Sequence, residues 1–258
     1  MSGQTCPQCG GTGWKQLEVD GITGVERCDC ALADRARRLE EKANIPPLYR
    51  DASFANFSTL PDNPVANRIL SAAVTTARAY VRDFTPGVTR RGLLFIGEPG
   101  TGKTHLAVAV LRSLIGRWGA EGVFFDYQQL LEKIRSGYDP ASGSSDREAY
   151  RVALDCEVLL LDDLGAHRIS DWVEDTITQI ITYRANHGRP LIATTNLRDP
   201  EAGDAPLPGG AAGDLAGKYY LAERIGARAR SRLFEMCRVI STRGAEDYRI
   251  RKGRRPEA

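Results

Sequence analysis

Gly97-Glu98-Pro99-Gly100-Thr101-Gly102-Lys103-Thr104 is the stretch from which the rest of this chain is read. It runs glycine, four residues, then glycine, lysine and threonine, the spacing of a phosphate-binding loop. Leu93-Leu94-Phe95-Ile96 leads in as a buried strand, and His105 to Leu111 follows as a helix. Glycines keep side chains away, so backbone N–H groups can wrap a polyphosphate, and the start of the helix adds a dipole that favours an anion. In that frame Lys103 reaches the outer phosphates and Thr104 offers its hydroxyl to Mg²⁺. The loop predicts a bound nucleoside triphosphate.

Downstream, strands and helices alternate. Gly122 to Phe125 reads as a second strand, with Asp126 as the N-cap of a helix over Tyr127–Arg135. A polar loop and a helix over Asp146–Leu154 precede a third apolar strand, Val158-Leu159-Leu160-Leu161, which ends in Asp162-Asp163. Trp172 to Asn186 is a long helix, and Pro190 to Asn196 a fourth strand. This alternation specifies an α/β fold with a parallel sheet between helices. Ligands of such sheets sit at the carboxyl ends of the strands, where Lys103, Asp162 and Asn196 all fall. Asp162 is placed to hold Mg²⁺ beside Thr104, and Asp163 to orient or deprotonate an attacking water. An aspartate is one methylene shorter than a glutamate there, so slow hydrolysis is expected. Asn196 is placed to hydrogen-bond the γ-phosphate or the water.

Upstream lies Cys6-Pro7-Gln8-Cys9 and, 18 residues on, Cys28-Asp29-Cys30. Lys15 to Arg27 alternates well enough for a small hairpin with Asp20-Gly21 near its tip. Four thiolates, Cys6, Cys9, Cys28 and Cys30, would hold Zn²⁺ and fold a segment too small to fold alone. Redox disulfides or unliganded thiols are the alternatives; Cys156 and Cys237 are expected to stay free. Ala31 to Ala43 is a charged helix, ended by Ile45-Pro46-Pro47. The division expected is residues 1–45, a zinc-binding segment and linker helix that meets a partner, and 46–258, the nucleotide-binding domain. An aromatic extended stretch, Tyr49 to Phe57, precedes a helix from Pro64 with Ile69, Leu70, Val74, Ala77 and Val81 at helical spacing.

At 258 residues, with 42% hydrophobic and 26% charged residues, the chain is that of a soluble globular protein. No apolar run suffices for a bilayer span and no signal-peptide core is present, so a cytoplasmic protein with no membrane partner is expected. A net charge of +2 argues for no partner. The last third is richer in arginine, and Arg224, Arg228 and Arg232 at four-residue spacing are expected to share one helix face. Pro200 to Gly217 reads as a surface loop.

Together Gly97–Thr104, Leu159–Asp163, Thr194–Asn196 and Ser231-Arg232-Leu233 resemble the AAA+ ATPases of the initiator branch. Ile45-Pro46-Pro47-Leu48-Tyr49-Arg50, Phe54–Phe57 and the cysteine-rich start resemble, within that class, the bacterial replicative-helicase loaders of the DnaC/DnaI type. The resemblance implies an ATPase whose zinc segment engages a DnaB-type ring helicase and whose AAA+ domain binds ATP and single-stranded DNA. It implies a nucleotide-dependent homo-oligomer in which Arg232 is the finger that reaches a neighbour's γ-phosphate, with Arg228 a second contact. Arg249 is the stand-in for a lid-borne sensor arginine. Lys218, Tyr219, Tyr220 and the tail Arg249–Arg255 are the candidate DNA contacts. IstB-type transposition helpers share the ATPase core, and a weakly hydrolysing nucleotide-switch adaptor is a further alternative.

Overall fold

A computed structural model describes residues 6–19, 22–137, 144–167, 170–202 and 220–250. Two antiparallel strands open the chain, β1 (Trp14–Val19) and β2 (Ile22–Arg27), paired from Trp14↔Arg27 onwards. The expected hairpin is therefore present, while its tip lies outside the described residues. Helix α1 (Asp29–Lys42) follows directly, then α2 (Pro64–Asp83). Asn63 caps α2, its side chain accepting from Ala66 N–H, and Pro64 occupies the first turn, where a missing N–H costs nothing. Ala66, Leu70, Ala73, Ala77 and Val81 form its buried stripe at helical spacing.

The remaining elements build one parallel sheet. They are β3 (Gly92–Ile96), α3 (Lys103–Trp118), β4 (Gly122–Asp126), α4 (Tyr127–Ser136), α5 (Ser144–Asp155), β5 (Val158–Asp162), α6 (Asp171–Asn186), β6 (Leu191–Thr195), α7 (Ala222–Ile225), α8 (Ala227–Met236) and β7 (Cys237–Ser241). The strand order is β4-β5-β6-β3-β7, every pair parallel. β3 and β6 are buried along their whole length, as strands covered on both faces must be. One apolar cluster joins Leu94, Leu159, Ile177 and Leu233, and another joins Leu93, Leu106, Leu160 and Ile192. Each covers one face of the sheet. Among the described residues no helix is long and apolar enough to cross a membrane.

The N-terminal helix is held to the sheet rather than set apart from it. Arg112 of α3 bonds Glu40 of α1 through its Nε and donates to the Ala52 carbonyl at 2.8 Å. Phe124 N–H donates to the Ala43 carbonyl at 2.7 Å, extending the pairing of β4.

One sequence expectation is corrected. Arg224, Arg228 and Arg232 do not share a helix face, because the helix breaks at Gly226, with φ +82° and ψ 150°. That conformation is open to glycine, and a Cβ there would meet the Glu174 carboxylate at 2.3 Å. Arg224 instead packs beside the turn that follows β5, where a Cβ on Gly165 would meet its own Cβ at 3.2 Å. Arg228 and Arg232 remain together on α8.

Arg184 on α6 is fully buried. Its Nη1 donates to the carbonyls of Ala153, Leu154 and Cys156 at 2.9, 3.1 and 3.1 Å, and its Nη2 to those of Glu157 and Pro190 at 3.2 and 2.8 Å. The first of these are carbonyls that the end of α5 leaves without helical partners, so the guanidinium caps that helix and favours its dipole. Burial nonetheless pulls the Arg184 pKa down from its ordinary value. Arg184→Met, which keeps most of the volume but no donors, is expected to destabilise the fold by at least about 3 kcal/mol, roughly 6–12 °C in Tm. Thermal unfolding beside the parent chain checks this, and an unchanged Tm would refute the capping role.

Candidate nucleotide site

The loop Gly97–Thr104 joins β3 to α3 at the carboxyl end of the sheet. Gly102 adopts φ +89° at the helix N-cap, and a Cβ there would strike the Phe57 ring at 2.6 Å. Phe57 is thereby brought against the loop from the aromatic stretch that precedes α2. His105 Nε2 meets Ser53 O and Asn56 Oδ1, both at 3.0 Å, fastening the same stretch to α3.

Lys103 is 6% exposed and donates through Nζ to the Glu98 carbonyl at 2.8 Å. Burial brings its pKa down to about 8, against the pull of Asp163 and Asp162. Thr104 Oγ1 donates to Asp162 Oδ1 at 2.9 Å. Thr194 Oγ1 donates to the same oxygen at 2.6 Å and accepts from Asp163 N–H at 2.9 Å. Asn196 Nδ2 donates to Asp163 Oδ1 at 2.6 Å. Three strand ends thus meet: the β3 loop, the end of β5 and the end of β6. Desolvation raises the pKa of both Asp162 and Asp163. An arriving cation would relieve both.

Asp163 sits in the left-handed region at φ +57°, a conformation that aspartate tolerates better than most residues. Strain of this kind concentrates at functional sites. Here it turns the Asp163 side chain out of the strand towards Asn196. The donors fit a Mg²⁺–nucleotide: a threonine hydroxyl and a carboxylate in contact for the hard cation, and a mostly buried ammonium for phosphate. With the nucleotide bound, the cation would neutralise charge on the phosphates.

The wall of this site formed after β7 has no motif that announces it in the sequence. Thr101 and Thr242 share a hydrogen bond between their hydroxyls at 2.7 Å. Arg243 donates to the Leu197 carbonyl at 2.6 Å and to Glu98 Oε1 at 3.3 Å, and Tyr248 N–H donates to the Gly100 carbonyl at 3.0 Å. The nearest signal is Val239-Ile240-Ser241-Thr242, a short β-branched run that ends in hydroxyls. Arg249 pairs loosely with Asp247 at 3.8 Å and acts on the Asp163 carboxyl by charge.

Arg232 is elsewhere. Its side chain is 46% exposed and pairs with Glu235 at 2.7 Å on the outer side of α8. Of the candidate DNA contacts, Lys218, Tyr219 and residues 251–255 lie outside the described residues, as does most of the Pro200–Gly217 loop. Tyr220 forms a bridge with Arg198.

The four cysteines of the N-terminal segment converge. All four sulfurs lie within 4.8 Å of one another, Cys6 to Cys28 at 3.8 Å and Cys9 to Cys30 at 3.4 Å. A tetrahedral zinc with Zn–S bonds of about 2.3 Å needs sulfurs about 3.8 Å apart, whereas a disulfide needs about 2.05 Å. Gly13 N–H donates to Cys9 Sγ at 3.3 Å and, as the largest cause, brings that thiol down to about 6. Freshly purified, reduced protein is expected to carry one zinc per chain, and chelation to unfold the hairpin around Trp14. Elemental analysis and tryptophan fluorescence check this; metal-free protein with an intact hairpin would exclude the site.

The family described as IstB-like ATP binding protein matches residues 30–203. Uncharacterized protein YqaM of Bacillus subtilis is 27% identical over 206 residues, covering 76% of this chain and 60% of that protein. The replicative helicase loader DnaC of Escherichia coli is 26% identical over 164 residues, covering 64% of this chain and 63% of that protein. The matches therefore span under two thirds of these relatives' length. A crystal structure of the DnaC helicase loader superposes with TM-score 0.60 at 34% identity, covering 76% of this chain and 99% of that one. The sheet and its helices are those of an AAA+ nucleotide-binding fold.

Proposed function

Because the chain belongs to the family of IstB-like ATP-binding proteins, we propose that it is an ATPase that loads a replicative ring helicase onto single-stranded DNA. The observation that carries the ATPase reading is the linked set Thr104–Asp162–Thr194 with Asp163–Asn196, which joins a cation ligand, a water-orienting carboxylate and a phosphate sensor in one hydrogen-bonded array. Loading is supported by the likeness to the DnaC helicase loaders. Lys103 binds the outer phosphates, Thr104 and Asp162 hold Mg²⁺, Asp163 positions water and Asn196 reports the γ-phosphate. Arg232 completes the site of a neighbouring subunit. The zinc hairpin, whose Trp14 and Val25 are exposed, is the surface for the helicase.

Purified chain, a DnaB-type ring helicase and circular single-stranded DNA test this reading. Helicase retained on the circle is expected to require both the chain and ATP. The chain's own DNA binding is expected to weaken with salt, since its contacts go to phosphates, and to favour single strands over duplex. Retention that ignores the chain would overturn loading. The family match favours a second reading, an ATPase that assists transposition, and binding to a transposase with none to the helicase would select it.

A further inference from the structure

Asp199 and Arg230 form a charged pair that the activity above does not use. Asp199 is 1% exposed, three residues beyond Asn196. Arg230, on α8, donates to it with both arms of its fork, Nε to Oδ2 at 2.8 Å and Nη2 to Oδ1 at 2.5 Å. The Arg230 guanidinium also lies over the Phe234 ring, 4.8 Å from its centroid. A bidentate pair of this kind permits essentially one relative placement of the elements that carry it. A buried pair is a weak source of net stability, since desolvation offsets most of its attraction, and registration is its better-attested use.

What it registers follows from its position. The segment 196–199 touches the catalytic carboxylate at one end, through Asn196 Nδ2 on Asp163, and holds α8 at the other, through Asp199. The Arg198 carbonyl also accepts from Leu221 N–H at 2.9 Å, at the start of α7. Arg230 and Arg232 lie two residues apart on one helix, so one points in while the other points out. Arg232 is accordingly exposed, while Arg230 is 19% exposed.

We propose that the Asp199–Arg230 pair is a positioning device that sets Arg232 of each subunit according to the state of that subunit's own Asn196. The proposal rests on the finger role of Arg232 given above. Neither Asp199 nor Arg230 touches nucleotide; both act through α8. A site whose own P-loop, Asp162, Asp163 and Asn196 are intact then depends on the pair of the adjacent subunit.

Mixed assemblies test it. Asp199→Asn keeps the shape and removes the charge; alone, with saturating ATP and single-stranded DNA, its turnover is expected to fall about 10²-fold, as for a misplaced catalytic group. Its affinity for a fluorescent ATP analogue should stay at the parent value. Adding excess Asp163→Asn subunits, inactive themselves but keeping the Oδ1 acceptor for Asn196 and hence a sound α8, should restore turnover at the Asp199→Asn sites. Arg232→Ala subunits should be rescued in the same way. If Arg232→Ala is rescued and Asp199→Asn is not, or if Asp199→Asn turns over normally, the positioning role is overturned and the finger reading stands. If Arg232→Ala is not rescued, the finger reading fails and takes the proposal with it. Should Asp199→Asn not fold, Arg230→Lys, which keeps the charge and loses the fork, enters the same mixtures with the same outcomes.

Discussion

Arg232→Ala is expected to lower ATP turnover in the DNA-bound assembly by about 10³–10⁵-fold, the range an arginine finger supplies. ATP affinity of the isolated subunit should be nearly unchanged, because Arg232 stands on the outer side of α8, where its partner at 2.7 Å is the solvent-facing Glu235. An exposed pair of that type contributes little to stability, so the variant should fold and melt like its parent. Turnover measured against protein concentration separates a trans contact from a local one: the parent's rate per subunit should rise with concentration and the variant's should stay flat. Normal hydrolysis by the variant at high concentration with DNA present would remove Arg232 from the mechanism.

Lys103→Ala should abolish tight ATP binding and cut turnover by roughly 10²–10³-fold, the cost of losing one preorganised group on developing charge. The pH dependence of the parent gives a second handle. Burial places the Lys103 pKa at about 8 in the free protein, so the ammonium is charged below that pH and lost above it. A bound polyphosphate favours the charged form and pulls a proton back. ATP affinity should therefore hold up to about pH 8 and then fall by up to about tenfold per pH unit. In Lys103→Arg, whose guanidinium stays charged across this range, that slope should vanish. Isothermal titration across pH 7–9.5 decides it, and a parent slope surviving the substitution would assign the titration to another group. Asp162→Asn should bind nucleotide yet lose Mg²⁺-dependent turnover.

What could be read from the sequence was whatever chemistry local spacing carries. The phosphate loop, the apolar strand ending in Asp162-Asp163 and the cap Asp126 each announce themselves within a few residues. So did the hairpin, whose alternation needs no distant partner. The sheet order did not, because nothing in the run of strands says that β7 pairs beside β3. The four-residue spacing of Arg224, Arg228 and Arg232 carries no sign of the break at Gly226, which lies against Glu174 of α6. Arg184 lies in the last turn of α6. Only the tertiary fold brings the α5 carbonyls around it. Thr194 was legible only as part of the strand end Thr194–Asn196, and Thr242 and Asp199 not at all, since each acquires its role from a partner far along the chain.

The strand that carries the phosphate loop also constrains how the protein can be made. β3 pairs with β6 on one side and β7 on the other, Gly92 standing opposite Cys237. During synthesis β3 therefore waits for both of its neighbours, and pairings so distant in sequence close slowly. Meanwhile Leu93-Leu94-Phe95-Ile96 is an apolar segment with free edges, the kind that recruits other chains. A nascent chain stalled before Cys237 is thus the species a chaperone would be most needed to hold.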